Sequence, residues 1–157
     1  MQHHIQQHLE TIRRELHKRE SAYPKILEKE RKAFKRAHDH ENLSLLEFSA
    51  LLHDHLVPIA SDQARQYNLL KEAENYILLT KPTPDLEEPI YRELRRERAM
   101  RRACYPRWVH FRRLDADTAA REIAEWDALT TWWHATYCPE VPYRKPRDRK
   151  TATAPTT

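Results

Sequence analysis

The feature of the sequence that most clearly indicates binding chemistry is a run of arginines between Arg92 and Arg113. The run contains nine arginines and two glutamates, which gives it a net charge of +7. Guanidinium groups pair bidentately with carboxylates and phosphates, so such a run is typical of a surface that binds an acidic protein, DNA or RNA. Glu93 and Glu97 can pair with arginines three or four residues away, which would make the run a solvated helix face. Because two carboxylates cannot offset nine guanidinium groups, we expect an acidic partner.

We expect the contact surface to combine this run with an exposed tryptophan and with the basic C-terminal tail. Trp126 and Trp133 fall on the inward stripe of the last helix, and Trp108 is expected to face them, whereas Trp132 lies one position off the stripe. Exposed tryptophan beside arginine is typical of protein interfaces. The predicted partner-binding residues are Arg92, Arg95, Arg96, Arg98, Arg102, Arg112, Arg113, Trp132, Arg144, Lys145, Arg147, Arg149 and Lys150.

Two groups of residues could instead bind a metal ion. His53-Asp54 has the adjacent His-Asp pair found on the metal-binding helices of HD-type hydrolases, which need further ligands from other helices. A second group, Cys104, His110, His134 and Cys138, contains zinc-binding residue types but lacks the closely spaced cysteine pairs of structural zinc sites. We therefore expect no metal, no cofactor and no catalytic residue, and keep the hydrolase as the weakest alternative.

The composition favours helices and excludes several enzyme classes. The 157 residues include no glycine, which removes glycine-rich phosphate loops and nucleophile elbows. The mean hydropathy is -0.94, and no apolar run reaches the roughly 20 residues that span a bilayer. The polar N-terminus does not resemble a signal peptide, and two cysteines do not suggest a disulfide framework, so we expect a reducing cytoplasm and no membrane.

The spacing of apolar residues predicts an all-α protein of about five helices, in two hairpin-like halves packed as a bundle. The predicted units are an N-terminal helical half, a proline-rich connector, a basic aromatic hairpin, and a basic tail that is disordered on its own. Their ranges are 1–79, 80–89, 90–138 and 139–157. The first 80 residues have no net charge, and the remainder carries the whole +4.

Prolines and capping residues set the predicted helix boundaries. Pro24 and Pro106, each after a tyrosine, are expected at kinks or junctions because proline removes a helical hydrogen bond. Pro58 is expected to end the second helix, with Ser61 or Asp62 capping a third.

Two further signals mark helix starts, and one residue breaks an apolar stripe. Ser44 and Glu47 form the S-x-x-E capping box, and Asp115 is a good N-cap for the last helix. Arg19 occupies one position of the otherwise apolar seam of the first helix.

One segment resembles known proteins. An arginine-rich helix enters Tyr-Pro-Arg-Trp-Val, turns, and returns through an Ala/Asp-Arg-Glu-Ile helix over Glu97–Leu129. This resembles a hairpin of small, mostly uncharacterised accessory proteins of temperate bacteriophages. The turn departs from that pattern, since Phe111-Arg112-Arg113 stands where a glycine is expected. Either a non-glycine residue then adopts the left-handed conformation, or the turn differs. The segment Arg13–Leu27 echoes Arg95–Val109, which is either chance or a repeated hairpin.

The resemblance implies a phage or mobile-element origin and a bacterial host cytoplasm, and it brings no active site. We therefore expect a non-enzymatic accessory protein that binds and inhibits or redirects a host macromolecular machine, such as a defence or nucleic-acid-processing complex. The alternative is a protein that binds DNA or RNA directly and with little sequence preference.

Overall fold

A computed structural model of the chain describes residues 2–79 and 85–143, and all regular structure in this part is helical. Four helices follow one another: α1 (Gln2–Ala37), α2 (Leu45–Leu79), α3 (Glu87–His110) and α4 (Ala116–Tyr137). The all-α prediction is confirmed, and the count of about five helices is wrong by one. From residue 144 onward, the tail that the sequence predicts to be disordered lies outside the described residues.

The sequence predicted a helix boundary at Pro58, but the predicted second and third helices form the single helix α2. Pro24 and Pro106 likewise lie inside continuous helices, which excludes a junction at either position, and the predicted kinks stay a prediction. All three proline rings are exposed to solvent. A helix can continue through proline when the freed carbonyl of the preceding turn can bind water, and a position on the outer surface permits this.

The predicted helix starts at Ser44 and Asp115 are confirmed. The Ser44 backbone N–H donates to the Glu47 carboxylate at 2.9 Å, and the Glu47 N–H donates to the Ser44 hydroxyl at 3.3 Å. The Asp115 carboxylate accepts a hydrogen bond from the Thr118 N–H at 2.9 Å. Both caps satisfy N–H groups that the first helical turn leaves without partners.

The helices pack as an antiparallel four-helix bundle. α1 contacts α2 and α4, α3 contacts the same two helices, and each remaining pair is diagonal. One core joins the two halves of the chain, since it draws on all four helices. Its members include Leu9, Ile12, Leu16, Leu70, Ala73, Tyr76, Ile90, Leu94, Trp126, Leu129 and Trp133. None of the described helices has the length and apolarity that crossing a membrane requires.

Half of the α1–α2 hairpin extends beyond this core. No side chain between Leu16 and Gln66 is buried. We call the outer part, residues 24–37 of α1, the turn 38–44 and residues 45–62 of α2, the arm. Phe34 holds its two helices together, with its ring centroid 5.6 Å from that of Phe48.

Candidate functional site

The arginines of α3 do not form one exposed face. Arg98 and Arg101 point into the bundle, where they are only 4% and 2% exposed. Glu93 and Glu97 are buried on the same side of the helix. A strip of charged residues therefore belongs to the protein interior and is unavailable to a partner.

Arg101 is at the centre of this buried strip. Its guanidinium donates to Glu15 of α1 at 2.5 Å and to Glu97 at 2.7 Å, and it lies 4.2 Å from the ring centroid of Trp126. Burial alone would lower the pKa of Arg101, but the carboxylates of Glu15 and Glu97 raise it. Arg101 therefore stays charged and connects α1, α3 and α4.

Further ion pairs and hydrogen bonds extend the network to every helix. Arg19, the charged residue in the α1 seam, donates to Glu97 at 2.5 Å and to Gln66 of α2 at 3.2 Å. Glu122 of α4 accepts hydrogen bonds from the Tyr105 hydroxyl at 2.5 Å and from Lys18 at 3.0 Å. Burial and the bond to Glu122 raise the pKa of Tyr105 well above its ordinary value. Such contacts fix how the helices pair, because a shifted register would leave buried charges unpaired.

Carboxylates also contact most of the other predicted arginines of α3. Arg92 pairs with Glu88, Arg96 pairs with Glu93 at 2.7 Å, and Arg102 pairs with Asp127 of α4. Arg95 is half-buried, with its guanidinium carbon 5.6 Å from the centroid of the Tyr91 ring. The net +7 counted along the sequence is therefore largely offset by acids, several of them on other helices.

The chain turns sharply after α3, and there the arginines are exposed. Arg112 has φ = 54°, so a residue other than glycine adopts the left-handed conformation at this turn. The Arg112 N–H donates to the Val109 carbonyl at 2.9 Å, and the Arg113 N–H donates to the Trp108 carbonyl at 2.8 Å. These two bonds form a Schellman motif, which normally has glycine in the position of Arg112.

Aromatic and basic side chains share this turn. Phe111 is 54% exposed and Trp108 is 38% exposed, and the guanidinium carbon of Arg107 lies 5.7 Å from the Phe111 ring centroid. Within the described residues no carboxylate forms an ion pair with Arg107, Arg112 or Arg113. We call Arg107, Trp108, His110, Phe111, Arg112 and Arg113 the turn patch.

Comparison with protein-family models, with curated proteins and with solved structures returns no match to this chain. Within the described residues, the turn patch combines hydrophobic side chains with arginines that form no ion pair, on a backbone fixed by two hydrogen bonds. It offers apolar and cationic groups for binding.

The candidate metal ligands do not come together. His53 and Asp54 are 74% and 81% exposed on the arm, and their side chains are 3.5 Å apart. Cys138 is buried against the core, and burial raises the pKa of its thiol. Across residues 2–79 and 85–143, no three histidine, cysteine or acidic side chains are placed to hold a metal ion.

The tryptophans differ from the sequence prediction in two places. Trp126 and Trp133 are buried, at 2% and 0% exposed, as predicted. Trp132 is only partly exposed, packs against the core, and lies 5.0 Å from the His8 ring. Trp108, expected to face inward, is instead the more exposed residue. The predicted tail contacts Arg144, Lys145, Arg147, Arg149 and Lys150 lie outside the described residues.

Sequence reasoning missed the carboxylates that neutralise the arginine run. Glu15 lies between the core residues Ile12 and Leu16, and Glu122 lies four residues before Trp126, so both fall on inward helix faces. The sequence did contain a signal for these carboxylates, which is an acidic residue on a predicted inward helix face. It indicates a buried cation opposite, because a lone buried charge is costly.

Proposed function

We propose that this chain is a non-enzymatic binding protein that recognises an acidic surface of another protein through the turn patch. The observation that carries the proposal is the conformation of Arg112, which occupies a left-handed position that glycine would adopt with less backbone strain. Strained backbone concentrates at functional sites, and here the strained residue is an arginine that directly follows the exposed Phe111. Trp108 and Phe111 would supply the apolar contact, and the arginines would supply the charge complementarity.

The composition of the turn patch supports this role. Tryptophan and arginine are enriched among the few residues that carry most of the binding energy in protein interfaces. The Schellman hydrogen bonds fix the backbone before binding, so little ordering remains when a partner docks. Arg107 adds a cation beside Phe111 on the same exposed turn.

The buried network favours a protein partner over a nucleic acid. Non-specific DNA binding rests on many phosphate contacts, and its affinity grows with the number of phosphates neutralised. Within the described part of the chain, carboxylates of the bundle already pair with Arg96, Arg101 and Arg102, and the turn patch has three arginines without an ion pair. Three cations with two aromatic rings suit one acidic protein surface better than a long phosphate backbone.

The phage resemblance of Glu97–Leu129 includes the whole turn patch and adds the biological setting. In that setting the partner is a macromolecular machine of the bacterial host, which the protein inhibits or redirects. Direct binding of DNA or RNA is the alternative that the experiment must separate from it.

The test is a pull-down from bacterial lysate with the tagged full-length protein, before and after nuclease treatment. The Trp108→Ala/Phe111→Ala variant should recover at least about tenfold less of a specific protein complex than the parent. Arg65→Ala is the matched control, because this arginine is 73% exposed and lies outside the turn patch. Its recovery should equal that of the parent.

Two results would contradict the proposal. Equal recovery by the parent and the double variant would show that the turn patch is ordinary surface. Recovery that disappears on nuclease treatment, together with binding of a generic DNA duplex that weakens steeply with salt, would favour the nucleic-acid alternative.

A further inference from the structure

The arm carries an exposed stripe in which three of the four residues are apolar. Leu46, Ala50, His53 and Val57 follow one another at spacings of four, three and four residues along α2, and all four are exposed. Leu46 is 82% exposed and Val57 is 46% exposed. Residues at this spacing share one helix face, and in a coiled coil such a face packs against another helix.

The stripe lies beside the surface that α2 uses to contact α1. Phe48, Leu52 and Leu56 are half-buried and face α1. At about 100° per residue, Leu46 and Val57 project to one side of that seam, onto a broad face of the two-helix arm. Most of the exposed large apolar side chains in the described residues lie on the arm: Leu45, Leu46, Leu51 and Val57, against Leu78, Trp108 and Phe111 elsewhere.

The two helices of the arm carry opposite charge. Residues 24–37 contain six lysines or arginines and two glutamates. The turn and the following part of α2, residues 38–64, contain five acidic residues, two of them in the turn, and no lysine or arginine. A segment of 27 residues without a cation, in a chain with 28 of them, gives the arm a basic side and an acidic side.

We infer that the occupant of this face is the arm of a second copy of the chain. Two copies of the arm are complementary in charge, because the acidic α2 of one arm can lie against the basic α1 of its partner. The pairing of α2 with the partner's α1 repeats the antiparallel contact that the two helices make within one copy. The stripe is then buried in an intermolecular four-helix bundle with alternating charge around it.

The size of this face sets the expected affinity of the dimer. Residues 46–61 span about 24 Å, and two helices side by side are about 20 Å wide. The footprint is therefore about 500 Å² per copy, or about 1,000 Å² in total, at the lower end of specific interfaces. The dimer should be weak, with half of the chains associated at tens of micromolar concentration or above.

The test is sedimentation equilibrium of the full-length protein from about 1 μM to about 1 mM, which brackets this affinity. The mass should rise from that of one 18.9 kDa chain toward twice that value. Val57→Lys should weaken the association at least about tenfold, because it places a cation against the basic α1 of the partner. Leu51→Lys is the matched control, since Leu51 is 43% exposed on the same helix but outside the stripe, and it should associate like the parent.

Far-UV circular dichroism of both variants checks that the arm remains helical, which is expected because both positions are exposed. A parent protein that stays monomeric throughout the range would overturn the inference. So would a dimer that Val57→Lys leaves intact, or one that Leu51→Lys disrupts to the same extent.

Discussion

Replacing Arg101 by methionine tests whether the buried charge network holds the bundle together. The change keeps most of the side-chain volume and removes a guanidinium that contacts Glu15, Glu97 and the Trp126 ring. Removing one partner of a buried ion pair typically costs about 3–5 kcal/mol, because the other charge stays buried. Arg19 also pairs with both glutamates, so it limits the loss, and we expect about 3 kcal/mol, near the lower end of that range.

The assay is equilibrium unfolding in urea, followed by far-UV circular dichroism. Arg121→Met is the matched control, since Arg121 is 62% exposed and its pair with Glu125 is long, at 4.0 Å. An exposed pair of this kind contributes about 0–1 kcal/mol. A cost below about 1 kcal/mol for Arg101→Met would refute the reasoning.

Three further predictions concern stability. Arg112→Gly should raise the free energy of unfolding by about 1 kcal/mol, measured in urea, since glycine adopts φ = 54° without strain. Trp126→Ala should lower it by about 3–5 kcal/mol, and a variant that melts like the parent would show that Trp126 does not anchor the core. Burial alone would raise the pKa of Glu122, but hydrogen bonds from Tyr105 and Lys18 lower it. The ionised form therefore stabilises the fold above the unfolded pKa, and this stability is lost as the pH falls through the folded pKa. Glu122→Gln should make unfolding less dependent on pH between about pH 5 and pH 2, and an unchanged acid profile would contradict the assignment.

The fold class and the capped helix starts could be predicted from the sequence because they depend on local patterns. Apolar spacing showed the helices, and the Ser44 and Asp115 caps were recognisable from residue type and position. The continuity of α2 through Pro58 could not be predicted, because proline normally ends a helix. Its tolerance here depends on the exposure of the proline, which only the packing of the arm reveals.

The candidate site was predicted in part, and the reason lies in tertiary charge pairing. A charge count over Arg92–Arg113 includes Glu93 and Glu97 but omits Glu15, Glu122 and Asp127, which reach α3 from other helices. The missing glycine left two alternatives for the turn, a left-handed non-glycine residue or a different turn, and Arg112 shows that the first one holds. The exposure of Trp108 was not predictable, since its place on α3 matches an inward stripe until the end of the helix is known.

The most direct test of the turn patch is the recovery of the partner complex from nuclease-treated lysate by the Arg112→Gly variant, at a protein concentration matched to the parent. The substitution relieves backbone strain, so a loss of recovery cannot be attributed to unfolding. We predict that the variant recovers at least about tenfold less partner than the parent while unfolding at a higher urea concentration. Full recovery by this more stable variant would contradict the claim that Arg112 is kept at the turn for binding.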